Sequence, residues 1–159
     1  LIKIVVQFLI EIEKMLCNEV VDCGSGAGLP AIVWAIINPA LIVHSVDSNQ
    51  KKIAFQKHVR RMLDLDNLHP IAGRIEDIRL DGKISAIFKA FSSIKKGAGS
   101  LNKENNFKNM FFFKKDDEKT KTEITEISAL LYDYKKHEYT SNKEKMLIVE
   151  LYDSKNSNH

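Results

Sequence analysis

The segment Val20-Val21-Asp22-Cys23-Gly24-Ser25-Gly26-Ala27-Gly28-Leu29-Pro30 constrains this chain more than any other. Two β-branched residues lead into an acidic one, glycine then takes every second position, and Pro30 opens an apolar run, Ala31 to Ile37. Glycine adopts backbone angles closed to other residues and leaves no side chain between main chain and ligand. A strand that turns through glycines into a helix therefore presents backbone N–H groups to whatever sits there. Asp47 closes a second apolar run, Ala40 to Val46. It stands about 20 residues past the turn, where nucleoside-binding α/β folds hold ribose hydroxyls with a carboxylate. The expectation is a nucleoside-cofactor site on the first two strands of a parallel sheet.

The 159 residues suffice for one domain with a proper core, and 44% hydrophobic with 28% charged residues is ordinary for a soluble fold. A net charge of +3 is compatible with a nucleic-acid partner without establishing one. Cys17 and Cys23 build neither a disulfide framework nor metal-ligand spacing, so reduced thiols in a cytoplasmic protein are expected. No apolar run reaches the roughly 18 residues that span a membrane. The apolar opening, Leu1 to Ile10, has no cationic leader and reads as a helix packed on the sheet.

Along the chain, residues 1–17 are expected as an N-terminal helix, 18–153 as the main domain and 154–159 as a polar tail. Strands are expected at Val20–Cys23, Leu41–Val46, His69–Ala72, Ile84–Phe88 and Met110–Phe113, with helices between. Trp34 is expected in the core. Asp47 or Ser48 can cap the helix after the second strand, which runs to about Asp64 with Phe55, Val59, Met62 and Leu63 on one side. Lys57, Arg60 and Arg61 share another side, read as a solvated face or a place for phosphates. Ser92 to Asn109 reads as a mobile loop after a short helix, Lys114–Lys119 as a charged loop, and Thr122–Leu131 as an amphipathic helix. Tyr132–Tyr139 pairs with Met146–Tyr152 in a hairpin. The whole is a doubly wound α/β sheet with an antiparallel C-terminal pair. Glu76 and Asp77, at the end of the third strand, and Lys89, at the end of the fourth, would face a ligand at the strand ends.

The spacing is G-x-G-x-G, not the G-x-G-x-x-G of dinucleotide enzymes, and no G-K-[ST] phosphate cradle follows. A cationic, phosphate-free nucleoside suits neighbouring carboxylates, so S-adenosylmethionine fits Asp22, Asp47 and Glu76 better than NAD or ATP.

With Asp47-Ser48, Lys51-Lys52-Ile53-Ala54-Phe55, Leu65-Asp66-Asn67 and Arg74-Ile75-Glu76 following in order, residues 18–91 resemble the RsmG (GidB) family of bacterial 16S rRNA guanine-N7 methyltransferases. The resemblance implies a Rossmann-like class I AdoMet-dependent methyltransferase fold. It also implies S-adenosylmethionine contacts from Gly24, Leu29, Ile75, Glu76 and Lys89, with Gly26 and Gly28 shaping the turn and Asp47 suited to the ribose. The implied partner is 16S rRNA or the small ribosomal subunit. From their charge alone, Lys57, Arg60, Arg61 and the Lys95-Lys96 pair are the candidate RNA contacts, and a monomer without a membrane partner is expected. Attack by a ring nitrogen's lone pair needs no general base, so no catalytic side chain or metal is expected and His44, His58, His69 and His137 are bystanders. The chain departs from the family at Ala31 (usually Gly), at Lys89 and Lys145 (usually Arg), and in a shorter N-terminal helical region. The alternative is a non-catalytic cofactor- or RNA-binding member; a nucleotide-dependent oxidoreductase is disfavoured by the glycine spacing.

Overall fold

The computed structural model describes residues 12–127, 132–141 and 143–153. Seven strands form one sheet: β1 (Glu19–Cys23), β2 (Ile42–Asp47), β3 (Leu68–Ala72), β4 (Lys83–Lys89), β5 (Asn106–Lys115), β6 (Asp133–Ser141) and β7 (Glu144–Tyr152). Their order is β3-β2-β1-β4-β5-β7-β6. The neighbours among β1 to β5 are parallel, and the β6–β7 hairpin adds antiparallel to β5. The helices are α1 (Ala31–Ile37), α2 (Gln50–Met62), α3 (Ile94–Ser100) and α4 (Glu118–Thr125).

Alternation along the strands sends side chains to two separate cores. Val20, Val43, Ile87, Phe111 and Ile148 pack with Ile12, Ala31 and Trp34 on one face. Val21, Val46, Ala86, Phe88, Phe112 and Val149 pack with Ile94 and Ile124 on the other. The central strands are apolar on both faces because helices cover both. Trp34 is fully buried, as expected. Most of the expected N-terminal helix and the 154–159 tail lie outside the described residues.

Several elements differ from the sequence expectation. The β5 strand begins at Asn106 rather than Met110, and takes in Lys114 and Lys115. Pairing to β4 on one side and β7 on the other satisfies its backbone irrespective of side-chain polarity. The asparagines expected in a loop are fasteners. Asn105 Oδ1 accepts from Leu80 N at 2.8 Å, and Asn109 Oδ1 accepts from Ser85 Oγ at 2.7 Å. The Lys95–Gly99 stretch is helical, not loop. Lys114 forms a largely buried pair with Glu123 at 2.8 Å. The α4 helix starts at Glu118, ahead of the expected Thr122, because Asp117 accepts from Thr120 N at 2.8 Å and caps it there; residues 128–131 of the expected helix lie outside the described ones.

The cap of α2 is neither Asp47 nor Ser48 but Asn49, whose side chain accepts from Lys51 N and Lys52 N. Its inward residues are Ile53 and Gln56, whereas Phe55 and Met62 are 51% and 68% exposed. Of the apolar residues that share one side of the helix, Phe55, Met62 and Leu63 are thus exposed and Val59 half-buried, because the contact with the sheet is made partly by a polar side chain.

One close approach is testable. A Cβ on Gly97 would lie 2.5 Å from Phe112 Cε1 and 3.2 Å from Phe88 Cδ1. Those rings are buried and stacked, 4.6 Å apart with 2° between planes, so neither can yield cheaply. Overpacking of this kind costs about 1–3 kcal/mol, against about 1 kcal/mol gained in helix propensity. Gly97→Ala should therefore lower the denaturant midpoint; an unchanged or higher midpoint would show that α3 shifts freely.

Candidate functional site

The turn between β1 and α1 takes its shape from its glycines. Gly24, Gly26 and Gly28 have φ of 75°, 59° and 87°, the left-handed region that L side chains avoid. Gly24 N and Ser25 N both donate to Val46 O at 2.9 Å, which pins the turn to the end of β2. The Asp47 carboxylate completes the attachment. Its Oδ2 accepts from Gly26 N at 2.9 Å, its Oδ1 accepts from Asn49 N at 2.8 Å, and Lys52 Nζ lies 3.7 Å away.

A cleft of about 250 Å³ opens at the carboxyl ends of the strands, the expected place for a ligand of such a sheet. Gly24, Asp47, Ile75 and Glu76 line it, joined by Ser48, Gly73, Arg74 and Phe91. Ile75 and Glu76 belong to a single 3-10 turn, Ile75–Asp77, that follows β3. Gly26, Gly28, Leu29 and Lys89 are not among the lining residues; the two glycines belong to the turn itself, and Lys89 reaches Leu29. A Cβ on Gly28 would press Ile32 Cδ1 at 2.5 Å, and Lys89 Nζ donates to Leu29 O at 3.4 Å. Ala90 follows with φ of 57°, an uncommon angle for a residue with a Cβ, and Phe91 stands edge-on to Phe88 at 5.1 Å.

Behind the turn, Asp22 is 1% exposed. Burial pushes its carboxyl up to about 7; the Ala31 N–H that it accepts and nearby Lys89 pull the other way, and Asp47 adds to the rise. Its Oδ2 has no hydrogen-bond partner among the described residues. Burial likewise raises the thiol of Cys23. Among the described residues no histidine lines the cleft: His44 meets Glu19 at 2.6 Å and His137 meets Glu150 at 2.9 Å, both elsewhere on the sheet. Among the described residues no group of three or more His, Cys, Asp or Glu could hold a metal. A second hollow, of about 290 Å³ between Lys108, Glu150 and Tyr152, lies at the opposite end of the strands.

Two contributors had no signal strong enough to be picked out as site residues. Phe91 forms a wall of the cleft, and only its place just after a strand end could have marked it. Gln56 is fully buried beneath the turn; its spacing from Ile53 would have served, had polar residues been counted as inward.

The cleft thus joins an open glycine turn, an aromatic ring, the Asp47 carboxylate and a Glu76 carboxylate 3.6 Å from the Arg74 guanidinium, with the unpartnered Asp22 Oδ2 on the adjoining strand end. Such a set fits a flat nucleoside bearing positive charge better than a polyphosphate. Sheet order and site together define a class I, Rossmann-like methyltransferase fold. TrmK of M. capricolum, solved in complex with S-adenosyl-homocysteine, shares that fold with a TM-score of 0.62 at 14% identity, over 92% of this chain and 68% of that one. The chain belongs to the GidB family, rRNA small subunit methyltransferase G, whose family model matches residues 3–150. It is 42% identical over 78 residues to ribosomal RNA small subunit methyltransferase G of Methylobacillus flagellatus, across 48% of this chain and 38% of that protein. Against the protein of the same name from Psychrobacter cryohalolentis it is 47% identical over 76 residues, across 48% and 32%. The chain thus spans about a third of the length of the curated relatives it matches.

Proposed function

We propose that this domain binds S-adenosylmethionine over the glycine turn and methylates N7 of a guanine in 16S rRNA of the small ribosomal subunit. The observation that carries this reading is the left-handed glycine turn with Gly24 open to a cleft flanked by Asp47 and Glu76. Membership of the family supports the same substrate. Bound there, the cofactor would supply a methyl group on a cationic sulfur, with the neutral thioether as leaving group when the guanine N7 lone pair takes that methyl, and no proton would have to leave first.

The residues' work is therefore to bind and align. Gly24 lets the main chain approach closely. Asp47 has lone pairs left beyond its two backbone bonds and can accept ribose hydroxyls. Ile75 and Glu76 close one side and Phe91 the other. Lys89, exposed at the mouth, keeps the positive charge of the family's arginine without its planar fork. The sequence-level candidates for RNA contact divide by position. Lys95 and Lys96 begin α3 at the strand ends where the cleft opens. Arg60 lies eleven residues along α2 from Asn49, about 16 Å further from the cleft at 1.5 Å per residue, and its Nε donates to Leu65 O. Lys89, Lys95 and Lys96 are thus the better candidates for phosphate contact.

In the described residues no helix is long and apolar enough to cross a membrane. The proposal has the protein acting as a monomer in the cytoplasm, where its substrate is. It is tested by supplying labelled S-adenosylmethionine with small subunits, or their rRNA, from a strain lacking the modification, and mapping the product by mass. One methyl on one guanine, at N7, is expected. Cofactor binding without methyl transfer would favour the non-catalytic alternative, and transfer to another atom would overturn the N7 assignment.

A further inference from the structure

Gln56 is fully buried on a helix that otherwise turns Ile53 to the same side, a position where an aliphatic residue would serve packing alone. A buried amide is costly unless its donors and acceptor all find partners. Here they do. Nε2 donates to Ser25 Oγ at 2.8 Å and to Gly26 O at 2.9 Å, and Oε1 accepts from the buried Ser45 hydroxyl. The Gln56 chain also lies directly under Gly28, with Cγ 3.1 Å from where a Cβ there would stand. One side chain therefore hydrogen-bonds Ser25 and Gly26 and fills the space that a side chain on Gly28 would need. The N–H of Gly26 is held by Asp47 and its carbonyl by Gln56, so both of that residue's backbone polar groups are fixed from the β2–α2 segment. Three glycines give the turn its shape and also its freedom to leave that shape.

We propose that Gln56 is a positioning residue that, with Asp47, locks the glycine turn in its ligand-accepting conformation before the cofactor arrives. The proposal rests on the cofactor reading above. A turn released from this hold has to be ordered by the ligand, at the expense of affinity.

The test compares the wild type with Gln56→Leu and Gln56→Glu. Both variants should raise the Kd for S-adenosylmethionine by about 10-fold or more, through lost preorganisation and the loss of the amide donor to the buried Ser25 hydroxyl and the part-buried Gly26 carbonyl. KM for the cofactor should rise with kcat at saturation little changed, since nothing on Gln56 reaches the cleft. Gln56→Glu keeps the shape and the acceptor toward Ser45, and a protonated carboxyl regains one donor. Its affinity relative to wild type should recover as pH falls, and that of Gln56→Leu should not. Asp22, Asp47 and Lys52 are the ionisable groups of the same region, and Gln56→Leu, which keeps all three and adds none, is the control for their contribution. A purely structural role would produce no such recovery. Amide exchange at Gly26 in the cofactor-free protein should quicken in both variants. Wild-type-like affinity, or unchanged Gly26 exchange, would overturn the proposal. Failure of the wild type itself to bind S-adenosylmethionine would instead sink the cofactor reading, with the Gly26 exchange still deciding whether Gln56 holds the turn.

Discussion

Gly24→Asp should weaken S-adenosylmethionine binding by at least about 100-fold, roughly 2.7 kcal/mol, while the domain stays folded. Folding survives for two reasons. Asp is among the side chains that tolerate the left-handed region in which Gly24 lies, at φ of 75°. A Cβ there would also sit 3.9 Å from Phe91 Cδ2, an ordinary contact. The rest of the side chain then occupies the gap between the turn and Phe91, the space that a cofactor lying on the turn needs. The added carboxylate would attract a cationic ligand, so charge and bulk act in opposite directions here. Gly24→Asn, with the same shape and no charge, separates them, and both variants should lose binding if bulk decides. Gly28 would make a poorer probe: its Cβ would meet Ile32 at 2.5 Å, so loss of binding could follow from a shifted turn. Calorimetric titration together with a melting curve gives both readouts. Retained affinity in a folded Gly24→Asp protein would mean that the glycine turn is not the cofactor site.

Between about pH 4 and neutrality, Asp22→Asn should gain several kcal/mol of stability relative to the wild type in the cofactor-free domain, on top of a pH-independent cost for the amide N–H group placed where Oδ2 has no partner. Burial raises the Asp22 carboxyl from its ordinary 3.8 to about 7. Between those values the folded protein holds a proton that the unfolded chain has released. The stability tied to this group is therefore complete below pH 3.8 and is lost as pH rises to about 7, where the buried carboxyl ionises. At about 1.4 kcal/mol per unit the loss is on the order of 4 kcal/mol. The amide introduced by Asp22→Asn would keep an acceptor for Ala31 N–H and carry no charge at any pH. The variant and wild-type denaturation curves should separate as pH rises from about 4 and run parallel above about 7. Curves that stay together would show that the carboxyl is solvated or neutralised in place, with Lys89 the first candidate partner.

The glycine turn was legible at the level of single residues because its cause is local. Left-handed backbone selects glycine, and all three glycines of the motif adopt it. The places of Asp47 and Glu76 beside the cleft were legible for a related reason. Both residues follow strand ends, strand ends show in short apolar runs, and parallel strands bring their carboxyl ends to one edge. Ile75 was named only through the family resemblance, and Asp77, read from the same strand end as Glu76, is not among the residues lining the cleft. The hairpin of β6 and β7 was legible from alternation alone. Other features depended on contacts between distant segments. The β5 strand extends through polar residues because two neighbours pair with it. Phe55 and Met62 promised an inward face on α2, yet the face that meets the sheet carries Gln56.

Gln56 marks the boundary between the two kinds of information. The chain's local chemistry, β-branched runs and spaced glycines, determined that a left-handed glycine turn would form and where the strands beside it would end. That a glutamine 30 residues past Gly26 would hold the turn was decided only in the folded molecule. A hydrogen-bonded amide has no periodicity; its worth depends on partners that β1, β2 and α2 bring together by packing.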